Sequence, residues 1–142
     1  MAASKAEQIS EAIYQLLRTP RIPGVSSESR SRREGVREDE GLVLIVRPSL
    51  NVSRMILRPP KLVHTLSVEV VGLTQDRNGV TLIDAVMVEA HARIMDPANI
   101  NLGGLAQDIE PQTMIYREDK GDWTELIHRY DVTYRTEKGS LT

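Results

Sequence analysis

Three histidines are the residues in this chain most suited to chemistry, and their spacing indicates packing. His64 and His128 share strand parity with apolar neighbours. His91 lies one helical turn after Met87, beside an apolar helix stripe. A histidine at the border of an apolar face is more often a hydrogen-bonded packing residue than a metal ligand. We therefore expect no metal site.

The carboxylates of the same region do not form an acid–base pair. Asp84 and Glu89 are five residues apart on a predicted helix, so they do not share a face as a catalytic pair would. The sequence also lacks a phosphate-binding glycine loop, a dinucleotide fingerprint, a metalloprotease helix motif and a nucleophile elbow. We predict that the protein is not an enzyme and holds no cofactor. The competing hypothesis is a hydrolase or transferase of another type, for which the sequence offers no assembled nucleophile and base.

A long polar stretch, residues 26–40, contains almost nothing that could enter a core. Its charges run from basic to acidic: Arg30, Arg32, Arg33, Arg37, Glu38, Asp39 and Glu40. The whole connection, Arg21–Gly41, exceeds the roughly 12–15 residues usual inside a compact domain, so we predict that residues 26–40 are a flexible charged loop that orders against a partner. Arginine forks fit phosphates, which leaves a nucleic-acid-contacting module as an alternative. The acids roughly cancel the arginines, however, and no aromatic residue lies among them to stack on bases.

The composition fits one globular domain, residues 1–142, with an aliphatic core. Hydrophobic residues make up 40% and charged residues 27%, while phenylalanine and cysteine are absent. The formal net charge of -2 gives no general attraction to nucleic acid or to an anionic membrane. No apolar run approaches the ~20 residues of a membrane span. The first residues also lack the apolar core of a secretory signal, so we expect no membrane partner.

At the N-terminus the sequence predicts an amphipathic helix. Ser4 and Glu7 have the spacing of a capping box, in which each side chain accepts a hydrogen bond from the backbone N–H of the other residue. Thr19-Pro20 should end the helix, because proline disfavours helical geometry in the residue before it. The apolar stripe comprises Ile9, Ala12, Ile13, Leu16 and Leu17.

Further along the chain, hydrophobic periodicity predicts five strands and a second helix. The expected strands are residues 42–47, 53–58, 61–72, 112–116 and 125–135, and the helix runs from Gly79 or Thr81 to Met95. We expect a hairpin turn at 118–122 and a loose polar tail at 137–142. This order favours an α+β fold: a mostly antiparallel sheet with two helices packed on one face, and the long charged loop after the first helix.

The second helix leads into a turn-rich segment. A proline at 97 should end the helix near Met95. Two consecutive glycines allow backbone angles that are closed to other residues, so the chain can reverse tightly. The leucines on either side of the glycine pair should plug the top of the core. The predicted structural turn comprises Asp96, Pro97, Leu102, Gly103, Gly104 and Leu105.

This turn and the last strand resemble segments of a known protein family. The turn contains Asp-Pro and then Leu-Gly-Gly-Leu-Ala, and the closing strand contains Tyr130, Val132 and Tyr134 followed by Arg-Thr. In these features the chain resembles the tail-terminator (minor tail, tail-completion) proteins of long-tailed bacteriophages. The likeness extends over most of the chain in the order and length of its elements. It is specific over Asp96–Ile109 and Tyr130–Thr136.

The resemblance implies a structural role in a virion. It implies a homo-oligomeric ring of six copies at the head-proximal end of the tail, where the ring stops polymerisation of the tail tube. The implied partners are further copies of the chain, the tail tube protein and the head–tail connector or neck proteins, with assembly in the host cytoplasm. Passive contact with DNA in the bore stays open. A ring also requires two different complementary faces on each subunit, which a single non-catalytic domain with a charged loop can provide.

One departure from the family pattern keeps an alternative open. The residues Ala98-Asn99-Ile100-Asn101 lengthen the turn between Asp-Pro and Leu-Gly-Gly. A neck or head-completion connector protein of the same virion is therefore the alternative function.

Overall fold

Two helices and one sheet form the described part of the chain. The computed structural model describes residues 3–30, 41–57, 60–75, 78–119 and 123–142. The elements are helix α1 (Lys5–Arg18), strands β1 (Val25–Ser29), β2 (Leu42–Leu57) and β3 (Pro60–Thr74), helix α2 (Gly79–Ile94), a 3₁₀ turn (Leu102–Gly104), and strands β4 (Asp108–Asp119) and β5 (Trp123–Glu137). The sheet order is β1-β2-β3-β5-β4, with β1 parallel to β2 and the other pairs antiparallel. The predicted α+β fold is confirmed.

Helix α1 has the bounds and the buried stripe that the sequence predicts. The hydroxyl of Ser4 accepts a hydrogen bond from the Glu7 backbone N–H at 3.2 Å, and the helix ends at Arg18. The Glu7 carboxylate does not complete the capping box, because it pairs with Arg30. Three residues of the predicted stripe are completely buried, namely Ile9, Ile13 and Leu17.

Both helices cover the same face of the sheet, since strand periodicity places one apolar row there. This main core includes Leu42, Leu44 and Val46 of β2, Leu66, Val68 and Val70 of β3, Leu126, Tyr130, Val132 and Tyr134 of β5, and Ile83, Val86, Met87, Ala90 and Ile94 of α2. A second, smaller cluster lies on the other face: Val43, Ile45, Val71, Leu73 and Ile127, with Trp123 packed against it. The sheet is therefore apolar on both faces at this end, as the continuous apolar run in β2 indicates.

The first half of the sheet differs from the prediction in two respects. Residues 26–29 form part of β1 instead of the loop, because buried Ile22 and Val25 hold the segment against β2. The predicted strands at 42–47 and 53–58 correspond to one strand, Leu42–Leu57, which continues through Pro48 with a shift of register. Proline is tolerated there because the pairing with β1 ends at Ile45, so its missing N–H lies on an edge that no other described strand covers. Residues 31–40 of the predicted loop lie outside the described residues, as do residues 120–122 of the predicted hairpin turn.

The C-terminal segment is tied to the start of α1, whereas the sequence predicts a loose tail. The Lys5 backbone N–H donates to the carbonyl oxygen of Leu141 at 2.7 Å, and the Ser140 N–H donates to Glu137 O at 3.1 Å. The first N–H groups of a helix have no partner within the helix, so an adjacent carbonyl is a favourable acceptor. Tail residues therefore complete the N-terminal end of α1.

The residues that lengthen the turn after α2 supply hydrogen bonds within it. Helix α2 ends at Ile94 with Met95 as its C-cap. The Asn99 amide donates to Arg93 O at 3.0 Å, and the Asn101 side chain accepts from the Gly103 N–H at 3.2 Å. The lengthening of the turn thus supplies side chains that satisfy backbone groups on either side of it.

We expect valine at either turn glycine to destabilise the protein by about 1–2 kcal/mol, because left-handed backbone geometry brings Cβ close to a carbonyl oxygen. Gly103 and Gly104 have φ angles of 70° and 97°, and a Cβ added at either meets no atom within 4 Å. Strain of the backbone is therefore the only expected cost. Urea denaturation measures the change in the free energy of unfolding. Gly139→Val is the matched control, since Gly139 also faces open space without a positive φ; equal stability of all three variants would contradict the prediction.

Candidate functional site

A groove of about 350 Å³ between α2 and the edge strand β4 brings together the residues best able to bind a partner. We name it the α2–β4 groove. In the register of the sheet Met114 lies opposite His128 and Tyr116 opposite Leu126, so both β4 side chains face the helix layer. The groove is lined by Asp84, Met87, Val88, His91, Met114, Tyr116 and His128. Its walls are mainly apolar, with one carboxylate at the side of α2.

Two of the three histidines meet at the floor of this groove through a tyrosine. The Tyr130 hydroxyl lies 2.9 Å from His91 Nδ1 and 3.0 Å from His128 Nδ1. The two imidazole rings stack with their centroids 5.4 Å apart. A phenol can donate only one proton, so one imidazole accepts at Nδ1 and the other donates from it. The cluster therefore fixes opposite tautomers on two neighbouring histidines.

Burial keeps His128 and Tyr130 of this cluster uncharged. The pKa of His128 is lowered to about 4, first because burial penalises the charged imidazolium and then because His91 lies nearby. Burial also raises the pKa of the Tyr130 hydroxyl well above its ordinary value of 10. Both groups are neutral near pH 7, and the Tyr130 hydroxyl bonds to His128 Nδ1. The geometry is that of a packed polar cluster beneath an apolar groove.

The third histidine also has a packing role, as its sequence position indicates. His64 Nε2 lies 2.8 Å from the Thr136 hydroxyl, and its Nδ1 lies 2.6 Å from the Ser53 hydroxyl. Its ring stacks on Tyr134 with centroids 4.5 Å apart. The pKa of His64 is lowered, chiefly by burial and also by Lys5. His64 therefore joins β2, β3 and β5 and is far in the sheet from the α2–β4 groove.

The carboxylates of α2 have separate surroundings. Glu89 pairs with Arg93 at 3.1 Å, whereas Asp84 lines the groove. No set of three or more His, Asp or Glu side chains in the described ranges is arranged to hold a metal ion. Within those ranges, no helix is long and apolar enough to cross a membrane.

Only one of the predicted interaction-loop residues, Arg30, lies among those described, and it is held by α1. Its guanidinium contacts Glu7 at 2.9 Å and Glu11 at 2.8 Å, and its Nε donates to the Val46 carbonyl oxygen at 3.2 Å. These contacts fix the end of β1 against α1 and occupy most of its donors. The other predicted loop residues lie outside the described residues: Arg32, Arg33, Arg37, Glu38, Asp39 and Glu40.

The residues that carry the sequence resemblance are mainly buried in the closing strand and mainly exposed in the turn. Tyr130, Val132 and Tyr134 of the closing strand are buried beneath the helices. In the turn Leu102 is buried and Leu105 is packed against the core, whereas the two glycines are exposed. The closing strand therefore contributes to the core, whereas the turn presents Asp96, Pro97 and the two glycines to a partner.

The exposed apolar residues were not identified as a site from the sequence. On the groove side they are Val88, Met114 and Tyr116, with exposed fractions of 66%, 40% and 55%. On the far half of β2 they are Leu50, Val52 and Met55, with exposed fractions of 53%, 56% and 45%. We name residues 50–55 the β2 finger, because β1 does not extend beside them. The sequence signal that could have found them is apolar residues that lie outside the main helix stripe or in strand segments with no buried apolar row.

Comparison with known proteins identifies a likeness of fold. No protein-family model matches the chain, and no curated protein sequence matches it. Among solved structures, a chain of the "Virion of native gene transfer agent (GTA) particle" superposes with a TM-score of 0.60. The match covers 95% of this chain and 100% of that chain at 12% sequence identity. The two chains therefore share their fold from end to end.

Proposed function

We propose that this protein is a structural component of a phage-like virion that assembles into a closed ring of six copies. The ring is placed at the head-proximal end of the tail, where it caps the tail tube, stops its polymerisation and provides the docking surface for the head connector. The observation that carries the proposal is the whole-length likeness in fold to a chain of a gene transfer agent virion. The sequence resemblance to tail terminators over Asp96–Ile109 and Tyr130–Thr136 supports the same class independently.

The distribution of exposed apolar surface supports a ring. The α2–β4 groove and the β2 finger lie toward opposite edges of the sheet, since in the order of the described strands β4 is one edge and only β1 lies beyond β2. Contacts between unlike surfaces repeat from copy to copy and close into a ring when the rotation permits. Exposed apolar groups on two separate surfaces are also expected of a subunit that is covered by neighbours.

The polar chemistry of the groove supports a non-enzymatic role. The Nδ1 atoms of His91 and His128 both bond to the Tyr130 hydroxyl, so neither is available at that atom as a base for a substrate. A general base must lie within hydrogen-bonding reach of the proton that it removes. In the proposed role the protein therefore acts through its shape and its association with other subunits.

Measurement of the assembled mass, with and without tail tubes, tests the proposal. We expect a species of about six times the 15.9 kDa of one chain, and electron microscopy should show a ring on one end of each tube. Tube subunits polymerised with the protein should give tubes of limited length. A protein that stays monomeric even on tubes, with tube length unchanged, would contradict the proposal.

A binding comparison separates this function from that of a neck or head-completion protein. Immobilised protein should retain tube subunits and connector subunits, because a cap has one face toward each. Retention of connector subunits alone would favour the neck protein. A bovine serum albumin resin of equal loading controls for non-specific capture by the exposed apolar residues.

A further inference from the structure

We infer that the β2 finger of one copy inserts into the α2–β4 groove of the next copy in the ring. This inference rests on the proposed ring and specifies which surfaces meet. It commits to a second copy of this chain as the occupant of the groove.

The positions of the two surfaces fit a head-to-tail contact. The groove includes the edge strand β4, and the finger belongs to the part of β2 that has no β1 partner beyond Ile45. In the register of the sheet the finger is level with the start of β4 at Asp108, whereas the groove is level with Met114. The finger of one copy therefore reaches its neighbour's groove when the two copies lie edge to edge and are displaced along the strand direction by several residues. Each copy then uses each surface once, which is the condition for a closed ring of unlike contacts.

The apolar character of the surfaces is matched. Leu50 and Val52 project from one face of the finger and Met55 from the other, because successive side chains along a strand point to opposite faces of the sheet. All three side chains are about half exposed. The groove offers Val88, Met114 and Tyr116, so insertion would remove apolar surface from water on both partners.

The charges of the two surfaces are complementary. Among the described side chains, Asp84 is the only carboxylate that lines the groove, and Arg54 lies between Val52 and Met55 in the finger. Neither side chain has an ion-pair partner among the described residues, whereas the neighbouring charges are paired, as in Glu89 with Arg93. Opposite charges at a contact fix register and suppress wrong partners more than they add affinity.

Disulfide trapping tests the contact directly, because the chain contains no cysteine. A variant carrying both Val52→Cys and Val88→Cys should form a covalent ladder under oxidising conditions, up to the number of subunits in the ring. A mixture of the two single variants should give covalent dimers only. The matched control combines Val52→Cys with Val80→Cys, since Val80 is exposed on the same helix but does not line the groove; it should not cross-link.

Charge exchange tests the same contact without cysteine. Asp84→Arg and Arg54→Asp should each weaken association roughly fivefold, the effect expected for an exposed pair, and the double exchange should restore it. Sedimentation analysis measures association, and circular dichroism verifies that each variant is folded. Equal weakening in the double exchange would overturn the inference.

The outcomes separate this inference from the proposed function. Rings on tail tubes that neither cross-link through 52 and 88 nor respond to charge exchange would overturn the inference and leave the proposed ring intact. Cross-linking of Val88→Cys to a tube or connector subunit carrying surface cysteines, in place of a second copy, would also overturn it. A wild-type protein that forms no ring on tubes would overturn both.

Discussion

Gly72→Val and Ile83→Ala should each destabilise the protein strongly. The double variant should nevertheless lose less unfolding free energy than the sum of the two single losses. A Cβ at Gly72 would lie 3.0 Å from Ile83 Cγ2 and 3.3 Å from Met87 Cε. Helix α2 therefore packs on β3 where the strand has no side chain. Overpacking by valine should cost about 1–3 kcal/mol, and truncation of buried Ile83 should cost about 2–5 kcal/mol.

The coupling arises because the alanine leaves space that the valine can fill. We expect the double variant to fall short of additivity by roughly 0.5–3 kcal/mol, the range for residues in direct contact. Urea unfolding of the four proteins measures the cycle. Val88→Ala, on the exposed side of the same helix, should change stability little in either background. Strict additivity would show that α2 does not rest on Gly72.

Acidification should destabilise the protein between pH 6.5 and pH 4 through His128. The ordinary pKa of a histidine imidazole is 6.5, and the pKa of His128 in the folded protein is about 4. The unfolded chain therefore binds more protons in this interval, so stability is complete above pH 6.5 and falls as the pH decreases toward 4. At about 1.4 kcal/mol for each pH unit, the loss from this group approaches about 3 kcal/mol.

His128→Asn separates this effect from general acid denaturation. The asparagine side chain can still bond to the Tyr130 hydroxyl, but it does not titrate in this range. Urea midpoints measured from pH 7.5 to 4 should depend less steeply on pH in the variant than in the wild type. The remaining slope would include His64, whose pKa is lowered in the same direction. Identical slopes in the two proteins would show that His128 is not the titrating group.

The helices and the antiparallel strands could be predicted because their signals are local. In α1 the cap at Ser4, the spacing of Ile9, Ile13 and Leu17, and the stop at Thr19-Pro20 all fall within one element. In β3 and β5 the alternation of apolar and polar residues is an equally local signal. The placement of His64, His91 and His128 as packing residues also followed from parity, since each lies beside an apolar row that must face the core.

Strand β1 could not be predicted because its stability is supplied by its neighbour. The segment Val25–Ser29 has only one apolar residue, and apolar and polar residues do not alternate along it, so nothing local distinguishes it from a loop. Its pairing with β2 is parallel, and Arg30 is fixed by carboxylates on α1 that are far away in the sequence. Likewise, Pro48 predicted the end of a strand. Only the position of β2 in the sheet shows that the strand can continue through this proline.

By itself, the sequence determined the fold class, the buried faces of the helices and strands, and the turn that follows α2. Periodicity, capping and glycine geometry act over a few residues and are visible in a single chain. Only the tertiary structure decided which exposed residues share a surface: Val88 comes from a helix and Met114 and Tyr116 from a strand more than twenty residues later. Surface side chains are not selected for burial within the chain, so no periodic pattern records which of them meet.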